Sequence, residues 1–435
     1  MTLTGRFVAL VALGIIPVVW LGDSISRAFA VLTLWLLFVG LLGLADLLLA
    51  ASPRAVTLER RLPNRVRLGE RITSELFVTN TGSRHLRAVV RDAWQPSAGA
   101  GTNRTAVSVP PLGRRLVTVA LTPFRRGERR VAHVTIRSHG PLGLWNRQAT
   151  LHAPGAIRVL PPFRSRKHLP SRIQRLKELD GRTSVMVRGP GTEFDSLREY
   201  VRGDDVRSID WRATARRNDV MVRTWRPERD RRVVILVDTG RTSAARIDDE
   251  PRLDTAFEAS LLLAALAGPA GDRVDFVAFD RRVRGRVQGA TGAALLSRMV
   301  DTMALIEPEL IEMDWAAVPA QIRAITSQHA LVVLVTSIDA AGASTGLLSV
   351  LAQLTRRHTV VVASVTDPLA ARAVHARTTR EDVYRAAAAE RALLDVARVS
   401  AAIRQLGADV VTAAPADLPP ALADRYILLK ATGQL

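Results

Sequence analysis

The chain has 435 residues, which is too long for one ordinary domain and predicts two or three folded units. It holds 61 Lys and Arg residues against 41 Asp and Glu residues, a formal net charge of +20. The basic residues are spread singly between strand-like stretches, without a basic-aromatic recognition helix or zinc ligands, so we expect no nucleic-acid partner. The absence of cysteine excludes disulfides, thiolate catalysis and Cys-ligated metal sites.

Two apolar runs open the chain, at residues 7–22 and 28–51, with a short polar connector between them. The second run is long enough to cross a hydrocarbon layer of roughly 30 Å, whereas the first is at the lower limit and contains Pro17. A cleaved signal peptide is the competing interpretation of the first run. Because no clean cleavage site follows it and a second apolar run comes at once, the sequence favours two transmembrane helices over residues 1–52.

Flanking charge predicts the orientation of this hairpin. Arg6 precedes the first run and several arginines follow the second, whereas the connector holds one Asp and one Arg. Basic flanks stay inside the cell, so we expect a multi-pass protein of the inner (plasma) membrane with its soluble domains in the cytoplasm. A basic protein also suits an anionic inner leaflet. Asp46, near the end of the second run, is unusual for a lipid face and is expected at the interface or beside a polar partner.

Residues 53–160 are predicted to form an all-β immunoglobulin-like sandwich. Six short runs of alternating or β-branched character are separated by turn residues. They span residues 56–68, 72–79, 86–94, 106–109, 116–122 and 130–138. The Gly-Pro-Leu-Gly-Leu-Trp sequence at 140–145 has the composition of a turn that folds back on a core, so we expect it to have a structural role.

A connector segment at residues 161–230 follows, and its densest part is residues 189–226, GPGTEFDSLREYVRGDDVRSIDWRATARRNDVMVRTWR. The simplest interpretation is a connector with a solvated helix. The carboxylates are interleaved with arginines, which favours charge-neutralising pairs over a catalytic acid–base cluster. The aromatic residues are expected to dock the β domain against the domain that follows: Phe194, Tyr200, Trp211 and Trp225.

From residue 231 to 435, apolar runs alternate with amphipathic stretches. Strands are predicted at residues 233–237, 274–279, 330–335, 359–365 and 409–412. Helices are predicted at residues 253–266, 293–306, 316–326, 345–355, 381–405 and 418–426. The alternation predicts an α/β fold with a doubly wound, mostly parallel sheet, and residues 283–287 as an antiparallel edge strand. Ligands bind at the carboxyl ends of such strands, here residues 238–243, Asp280 and residues 336–339.

These features resemble a known family. The last two hundred residues resemble a von Willebrand factor A domain, and the whole chain resembles domain-of-unknown-function family 58 (DUF58), membrane-anchored proteins that carry such a domain. The resemblance lies in a signature of Glu193, Phe194, Arg198, Tyr200, Gly203, Asp204, Asp205, Arg207, Asp210, Trp211, Ala215 and Arg216. It implies an adaptor that works with a MoxR-type AAA+ ATPase in chaperone-like maturation or assembly of an unknown client, with the signature as the partner-binding surface.

The resemblance also implies a metal-ion-dependent adhesion site (MIDAS), in which Asp-x-Ser-x-Ser, a Thr and a further Asp hold a cation. Oxygen ligands of this kind suit Mg²⁺. Here Asp238, Thr242 and Asp339 match in chemistry, Gly240 replaces one hydroxyl, and Arg241 adds a positive charge, so the site is degenerate. Two alternatives remain open: the carboxylate of Asp238 bonds turn amides, or the guanidinium of Arg241 replaces the cation by pairing with Asp238 or Asp339. The intermediate Thr is not identifiable.

No catalytic constellation is found in the sequence. The eight His residues are scattered, and there is neither a P-loop nor a nucleophile elbow, so we expect no enzymatic activity. The leading hypothesis is a membrane-anchored, non-enzymatic adaptor. The alternative is a metal-dependent hydrolase or a divalent-cation-dependent ligand binder at the Asp238 loop.

Overall fold

The structure, a computed structural model, describes residues 2–183, 193–201, 204–217, 219–226, 231–248, 250–338 and 341–435. The chain divides into two compact units, Met1–Leu160 and Pro161–Leu435. They are called the N-terminal unit and the C-terminal unit below.

Three apolar helices open the N-terminal unit: α1 (Gly5–Ala12), α2 (Ile15–Leu21) and α3 (Ile25–Leu49). By length and composition α3 can cross a membrane, with a mean hydropathy of 2.4, whereas α1 and α2 together are shorter than a span. Pro17 explains the break between α1 and α2, since it has no N–H for the preceding turn. At the break, Trp35 Nε1 donates to the carbonyl of Leu10 at 3.2 Å. Among the described residues there is therefore one helix of spanning length, and the second span stays a prediction.

The remainder of the N-terminal unit consists of strands. They are β1 (Thr2–Leu3), β2 (Val56–Arg61), β3 (Arg65–Arg67), β4 (Ile72–Asn80), β5 (Leu86–Asp92), β6 (Arg104–Val109), β7 (Arg114–Leu121), β8 (Gly127–His139) and β9 (Trp145–Leu160). One sheet has the order β1-β9-β8-β5-β6, with β3 running parallel to β9, and the other has the order β2-β4-β7. All other pairings are antiparallel.

The two sheets share a core, as a sandwich requires. One cluster joins Leu76 and Val78 of β4 to Val90 of β5 and Ile136 of β8, all 0–1% exposed. Strand residues between these positions face outward, because successive side chains in a strand point to opposite faces. The β-sandwich arrangement follows from this shared core, while its immunoglobulin-like character stays a prediction.

Two sequence predictions about the strands are wrong. Residues 56–68 form two strands in different sheets rather than one, because Pro63 interrupts the run and cannot donate to a ladder. The Gly-Pro-Leu-Gly-Leu-Trp sequence does not close the sandwich but turns β8 into β9, a strand of 16 residues that the sequence did not predict.

The C-terminal unit contains the remaining elements. Its helices are α4 (Leu169–Thr183), α5 (Trp211–Arg217), α6 (Arg252–Ala267), α7 (Gly292–Leu305), α8 (Val318–Arg323), α9 (Ala341–Leu354), α10 (Pro368–Ala373), α11 (Arg380–Gln405) and α12 (Leu418–Ala431). Its strands are β10 (Glu193–Glu199), β11 (Met221–Arg226), β12 (Arg232–Asp238), β13 (Arg246–Ile247), β14 (Glu250–Pro251), β15 (Arg273–Phe279), β16 (Val283–Val287), β17 (Leu331–Val335), β18 (Thr359–Val365) and β19 (Asp409–Ala413).

The main sheet of this unit is mixed, in the order β16-β15-β12-β17-β18-β19. All neighbours are parallel except β16, which pairs antiparallel with β15 at the edge. Along β12, Val234 and Leu236 lie in a core with Ile322 of α8 and Leu351 of α9. The intervening side chains point to the other face, where Phe276 meets Phe257 of α6 at a ring distance of 6.1 Å. Helices thus cover both faces, and the predicted mixed α/β architecture with its antiparallel edge strand is confirmed.

Candidate functional site

Asp238 is the last residue of β12, at the carboxyl end of the parallel strands, and its side chain is only 2% exposed. Strand β12 lies between β15 and β17, so loops from three strands meet at this point. The register pairs Val237 with Val335, which brings Thr336, the first residue after β17, beside Asp238. Asp238 therefore lies at the carboxyl edge of the sheet, as the sequence predicts.

Both carboxylate oxygens of Asp238 accept hydrogen bonds. The amide of Gly240 donates to Oδ1 at 2.7 Å. The hydroxyls of Thr336 and Thr242 donate to Oδ2 at 2.8 and 3.2 Å. Ser243 donates instead to the backbone carbonyl of Asp238, at 2.6 Å. One carboxylate and two threonine hydroxyls are thus gathered from two loops, and Thr336 is the partner that sequence reasoning missed.

Burial raises the pKa of Asp238 above its ordinary value, and the nearby Asp280 carboxylate raises it further. The hydrogen bonds from Gly240, Thr336 and Thr242 oppose this, because they stabilise the ionised form. The net direction is upward because the carboxylate has no cation among its described hydrogen-bond partners.

Asp280 follows β15 and is also fully buried, but it has cationic and amide partners. Arg284 Nε donates to its Oδ2 at 2.5 Å, and Thr239 donates to the same oxygen at 2.9 Å. The amides of Arg281 and Arg282 donate to Oδ1. Burial opposes ionisation here too, yet the Arg284 pair and the amides hold the pKa of Asp280 below its ordinary value.

Arg241 does not replace a cation by pairing with Asp238. Its guanidinium binds Glu312, with Nη2 at 2.6 Å and Nε at 2.8 Å from Oε1. Both side chains are more than half exposed, so this is a surface ion pair at the rim of the site. That alternative from the sequence is wrong for Asp238. The other partner considered there, Asp339, lies outside the residues that the structure describes.

The donor set at Asp238 fits a divalent cation only in part. Mg²⁺ prefers six oxygen ligands, and here one carboxylate and the two hydroxyls of Thr242 and Thr336 lie within reach of one point. Within the described residues, no group of three or more His, Asp or Glu side chains is placed to hold a metal. A ligand set with a single negative charge predicts weak binding that relies on several retained waters.

A narrow pocket adjoins Asp238 at the same edge of the sheet, and its walls include Ser243, Arg252, Thr336 and Ser337. Arg252, at the start of α6, donates from Nη1 to Ser337 Oγ at 2.7 Å. The pocket has room for water or a small ion. It does not resemble the apolar cleft that holds an organic substrate.

The signature segment forms an irregular hairpin in which β10 pairs antiparallel with β11. Between the strands lie a short 3-10 helix and α5, and the amide of Asp210 donates to the carbonyl of Met221 at 2.8 Å. At the end of β10, the amide of Tyr200 donates to the carbonyl of Val220 at 2.7 Å. The segment is therefore tied together by its own backbone as well as by side chains.

The signature carboxylates are used inside the segment. Asp204 accepts from the guanidinium of Arg198 and from the amide of Val201. Asp210 accepts the amides of residues 212 and 213 at the start of α5, and Arg223 Nε at 2.8 Å. The amide of residue 213 and the Arg223 guanidinium lower the pKa of Asp210. Asp205 caps the short 3-10 helix through the amide of residue 207. These contacts are those of structural ion pairs and caps.

Several apolar side chains of the same segment face solvent. Trp211 is 68% exposed, Val206 62% and Val201 61%. Tyr200 is half-buried. The expectation that Trp211 docks the β domain against the domain that follows stays a prediction.

For the other signature residues, the structure gives only the exposure of the side chain or the position in a strand. Arg207, Ala215 and Arg216 are exposed. Glu193 and Phe194 lie in β10, opposite Arg226 and Trp225 of β11. The side chains of these four strand residues, together with the whole of Gly203 and Asp339, lie outside the described part of the chain.

Comparison with known proteins agrees with the signature. A family model described as protein of unknown function DUF58 matches residues 196–392, which takes in most of the signature segment and much of the α/β sheet. Relatives include uncharacterized protein Rv1480 of Mycobacterium tuberculosis and uncharacterized protein Mb1516 of Mycobacterium bovis, each 27% identical over 185 residues. The match covers 42% of this chain and 57% of each relative, so the chain spans little more than half the length of these proteins.

Solved structures that resemble part of the chain include two that each match about a quarter of it. A complex of zinc 2-glycoprotein with prolactin inducible protein from human seminal plasma matches 24% of this chain and 92% of the solved chain, at 12% identity and a TM-score of 0.20. A CARDB domain from Pyrococcus furiosus matches 24% of this chain and 94% of that domain, at 21% identity and a TM-score of 0.18. TM-scores this low assign neither fold nor function.

Proposed function

We propose that the protein is a membrane-anchored, non-enzymatic adaptor whose cytoplasmic, von Willebrand factor A-like domain works with a MoxR-type AAA+ ATPase in maturation or assembly of a client protein. One observation carries the proposal. In the signature segment the carboxylates of Asp204 and Asp210 are bound to arginines, while the indole of Trp211 is 68% exposed. A segment arranged in this way offers apolar contact area rather than reactive groups.

This arrangement favours protein binding over catalysis for a physical reason. A general acid or base has to reach substrate with a pKa near the working pH, whereas the pKa of Asp210 is lowered by its hydrogen bonds. Exposed tryptophan, in contrast, is the residue most enriched among those that dominate protein–protein affinity. The hydrolase alternative gains no support from these residues.

The membrane part of the proposal is supported by α3, the N-terminal helix of spanning length. The arginines that follow it support a cytoplasmic location of the soluble units, by the positive-inside rule. An adaptor held there would present its signature segment to a cytoplasmic ATPase.

The direct test is capture of the partner from native membranes. The tagged full-length protein is purified in mild detergent with a slowly hydrolysed ATP analogue, and co-purifying AAA+ ATPases are quantified by mass spectrometry. Truncation of a tryptophan at the centre of an interface costs at least about 2 kcal/mol, a roughly 30-fold loss of affinity. We therefore expect Trp211→Ala to remove most of the ATPase from the purified material.

Tyr384→Ala is the matched control, because Tyr384 is an aromatic residue of α11 in the same unit with a similar exposure of 65%. It should leave ATPase recovery unchanged, and both variants should melt at the wild-type temperature. Consistent failure of the wild-type protein to recover an AAA+ ATPase, or equal loss in both variants, would contradict the proposal.

A second candidate is cation-dependent ligand binding at the Asp238 loop. The observation in its favour is the convergence of the Thr242 and Thr336 hydroxyls on one carboxylate oxygen of Asp238. Bound Mg²⁺ would stabilise the folded protein in proportion to its occupancy. We expect millimolar Mg²⁺ to raise the melting temperature of the wild-type protein but not of Asp238→Asn. An equal response of both proteins, or no response in either, removes this candidate.

A further inference from the structure

One end of the β-sandwich is built against the end of α3. Strand register places the starts of β2, β5, β7 and β9 and the ends of β4, β6 and β8 at this end of the two sheets. Three loops lie there, at residues 81–85, 110–113 and 140–144. They are called the helix-side loops below. The loop that contains Phe124, between β7 and β8, lies at the opposite end.

Helix α3 is fixed to the third of these loops by a buried carboxylate. Asp46 is 0% exposed, and its Oδ1 accepts the amides of Leu142 and Gly143 at 2.7 and 3.3 Å. Its Oδ2 accepts the amides of Leu144 and Trp145 at 2.7 and 3.2 Å. An acidic residue that the sequence left without a role therefore joins the apolar helix to the sandwich.

Close packing reinforces this junction. A Cβ atom on Gly43 would lie 2.7 Å from the indole nitrogen of Trp145, so only glycine admits the ring at that position. Phe7 of α1 meets the same ring edge-on at a centroid distance of 5.6 Å. The carbonyls at the end of α3 are bound by Arg84 and Arg147. The sandwich thus packs directly against the last two turns of the helix and is not connected to it by a flexible linker alone.

The length of α3 before the sandwich packs against it determines where the lipid surface would lie. From Ile25 to Gly43, where the loop first touches it, α3 rises roughly 27 Å at about 1.5 Å per residue. A hydrocarbon layer is roughly 30 Å thick, so a bilayer that contains α3 would end near Gly43 and Asp46. The helix-side loops are at the end of the sandwich that contacts this part of α3, through residues 142–144 and Arg84.

Two of these loops carry an exposed leucine at the tip. Leu112 is 81% exposed and Leu142 is 50% exposed. Leu112 has a φ of +57°, a backbone conformation in which glycine or asparagine would cost less than leucine. Turn formation therefore does not explain the leucine, whereas insertion of an apolar tip into the lipid interface does.

Charge at this end of the sandwich is complementary to lipid phosphate. The helix-side loops contain no Asp or Glu. Arg6, Arg54 and Arg84 are exposed around the helix ends. Arginines beside an anionic leaflet are attracted to its surface.

We propose that the helix-side loops form a lipid-contacting face, with Leu112 and Leu142 inserted at the interface and the surrounding arginines at phosphate level. The inference rests on the proposed membrane anchoring through α3 and goes beyond it. Its consequence is that the sandwich is seated on the bilayer in one orientation.

The absence of cysteine permits a direct test with single introduced thiols. Leu112→Cys, Leu142→Cys, Phe124→Cys and Leu34→Cys are each labelled with the environment-sensitive fluorophore NBD and reconstituted in nanodiscs of phosphatidylcholine with phosphatidylglycerol. Phe124 is 66% exposed at the far end of the sandwich and is the matched control, and Leu34 reports on the middle of α3. The measurements are the NBD emission maximum and quenching by lipids with a spin label at shallow or deep positions.

We expect blue-shifted emission and several-fold stronger shallow-lipid quenching at positions 112 and 142 than at 124, with deep-lipid quenching at 34. If 34 is deep but 112 and 142 behave like 124, the loops are in water and the inference fails while anchoring stands. A blue shift at 112 and 142 without lipid quenching means a protein contact and also overturns it. If 34 is not quenched, anchoring itself fails and the inference fails with it.

Discussion

Two aspartates at neighbouring strand ends show how local partners decide the behaviour of the same residue type. Asp238 and Asp280 are both almost fully buried at the carboxyl edge of one sheet. Asp280 has the guanidinium of Arg284 and two amides, which lower its pKa, whereas Asp238 has one amide and two hydroxyls, and its pKa is raised. The partners of the two carboxyl groups therefore shift their pKa values in opposite directions.

The raised pKa of Asp238 predicts a pH-dependent effect of Asp238→Asn. A carboxyl group whose folded pKa lies above its unfolded value contributes stability below about pH 3.9, and that stability is lost as pH rises through the folded pKa. The amide variant does not lose a proton. We expect Asp238→Asn to gain stability relative to the wild-type protein as pH rises from acidic to neutral. Thermal unfolding across that range measures the difference.

Asp280→Asn is the matched control, since its stability relative to the wild type is expected to change with pH in the opposite direction. Its lowered pKa means that the ionised group stabilises the fold above the unfolded pKa, and this stability is lost as pH falls through the folded value. The variant leaves Arg284 paired with the half-exposed Glu309. At neutral pH it should lose on the order of 2 kcal/mol, the typical net contribution of a hydrogen bond to a charged group. If the stability of both variants, relative to the wild type, changed with pH in the same direction, the opposite pKa shifts assigned to Asp238 and Asp280 would be wrong.

At the residue scale, the sequence predicts where a strand ends better than it predicts which side chains form hydrogen bonds or ion pairs with each other. The apolar run before Asp238 places that residue at the edge of a buried parallel strand, because only such strands are apolar on both faces. Its partner Thr336 depends on the register between β12 and β17, which no local pattern encodes. The partner of Arg241 was likewise missed, since Glu312 lies 71 positions away in the chain.

At the scale of elements, the junction of α3 with the β8–β9 turn is the contact most sensitive to substitution in the N-terminal unit. Four backbone N–H groups converge on one carboxylate, so its removal leaves several buried donors without a partner. Each such donor costs about 1–3 kcal/mol.

Asp46→Ala is therefore expected to lower the stability of the N-terminal unit by roughly 2–5 kcal/mol, since relaxation and water recover part of the summed cost. Asp46→Asn keeps one acceptor oxygen, so its stability should lie between that of Asp46→Ala and that of the wild type. Asp23→Ala removes an exposed aspartate at the other end of α3 and should have little effect. Thermal unfolding in detergent measures all three. An Asp46→Ala protein as stable as Asp23→Ala would contradict the role given to this carboxylate.

Elements with strong periodicity were predicted well, and elements shaped by tertiary contacts were not. The predicted strands of the C-terminal sheet agree with the observed bounds to within a residue or two. Strand β9 was missed because it alternates few apolar residues and contains Pro154. That proline lies at a register shift between β8 and β9, where a missing N–H does not break the ladder. The first apolar run was predicted as a single helix, and neither its break into α1 and α2 nor the packing of Trp35 against the break was predicted.

At the scale of the whole molecule, the distribution of charge around the apolar helices carries the prediction of orientation. Arg6 and Arg54 flank the helical segments, while Asp23, in the connector between α2 and α3, pairs with Arg27 in the first turn of α3. Arg60 contributes less to the folded surface than the sequence suggests, because it is buried in an ion pair with Asp92. The remaining asymmetry still favours a cytoplasmic location for both units.

This orientation is testable with single thiols in intact cells, because the chain has no cysteine of its own. Leu310→Cys places a thiol at a residue of the C-terminal unit that is 76% exposed, and Ser26→Cys places one in the first turn of α3, beside the connector between the helices. A membrane-impermeant maleimide should label position 26 in spheroplasts and position 310 only after permeabilisation. Labelling of position 310 in intact spheroplasts would reverse the predicted topology. Protection of position 26 together with 310 would mean that the helices do not form a spanning hairpin, since the connector has to cross the membrane to become accessible.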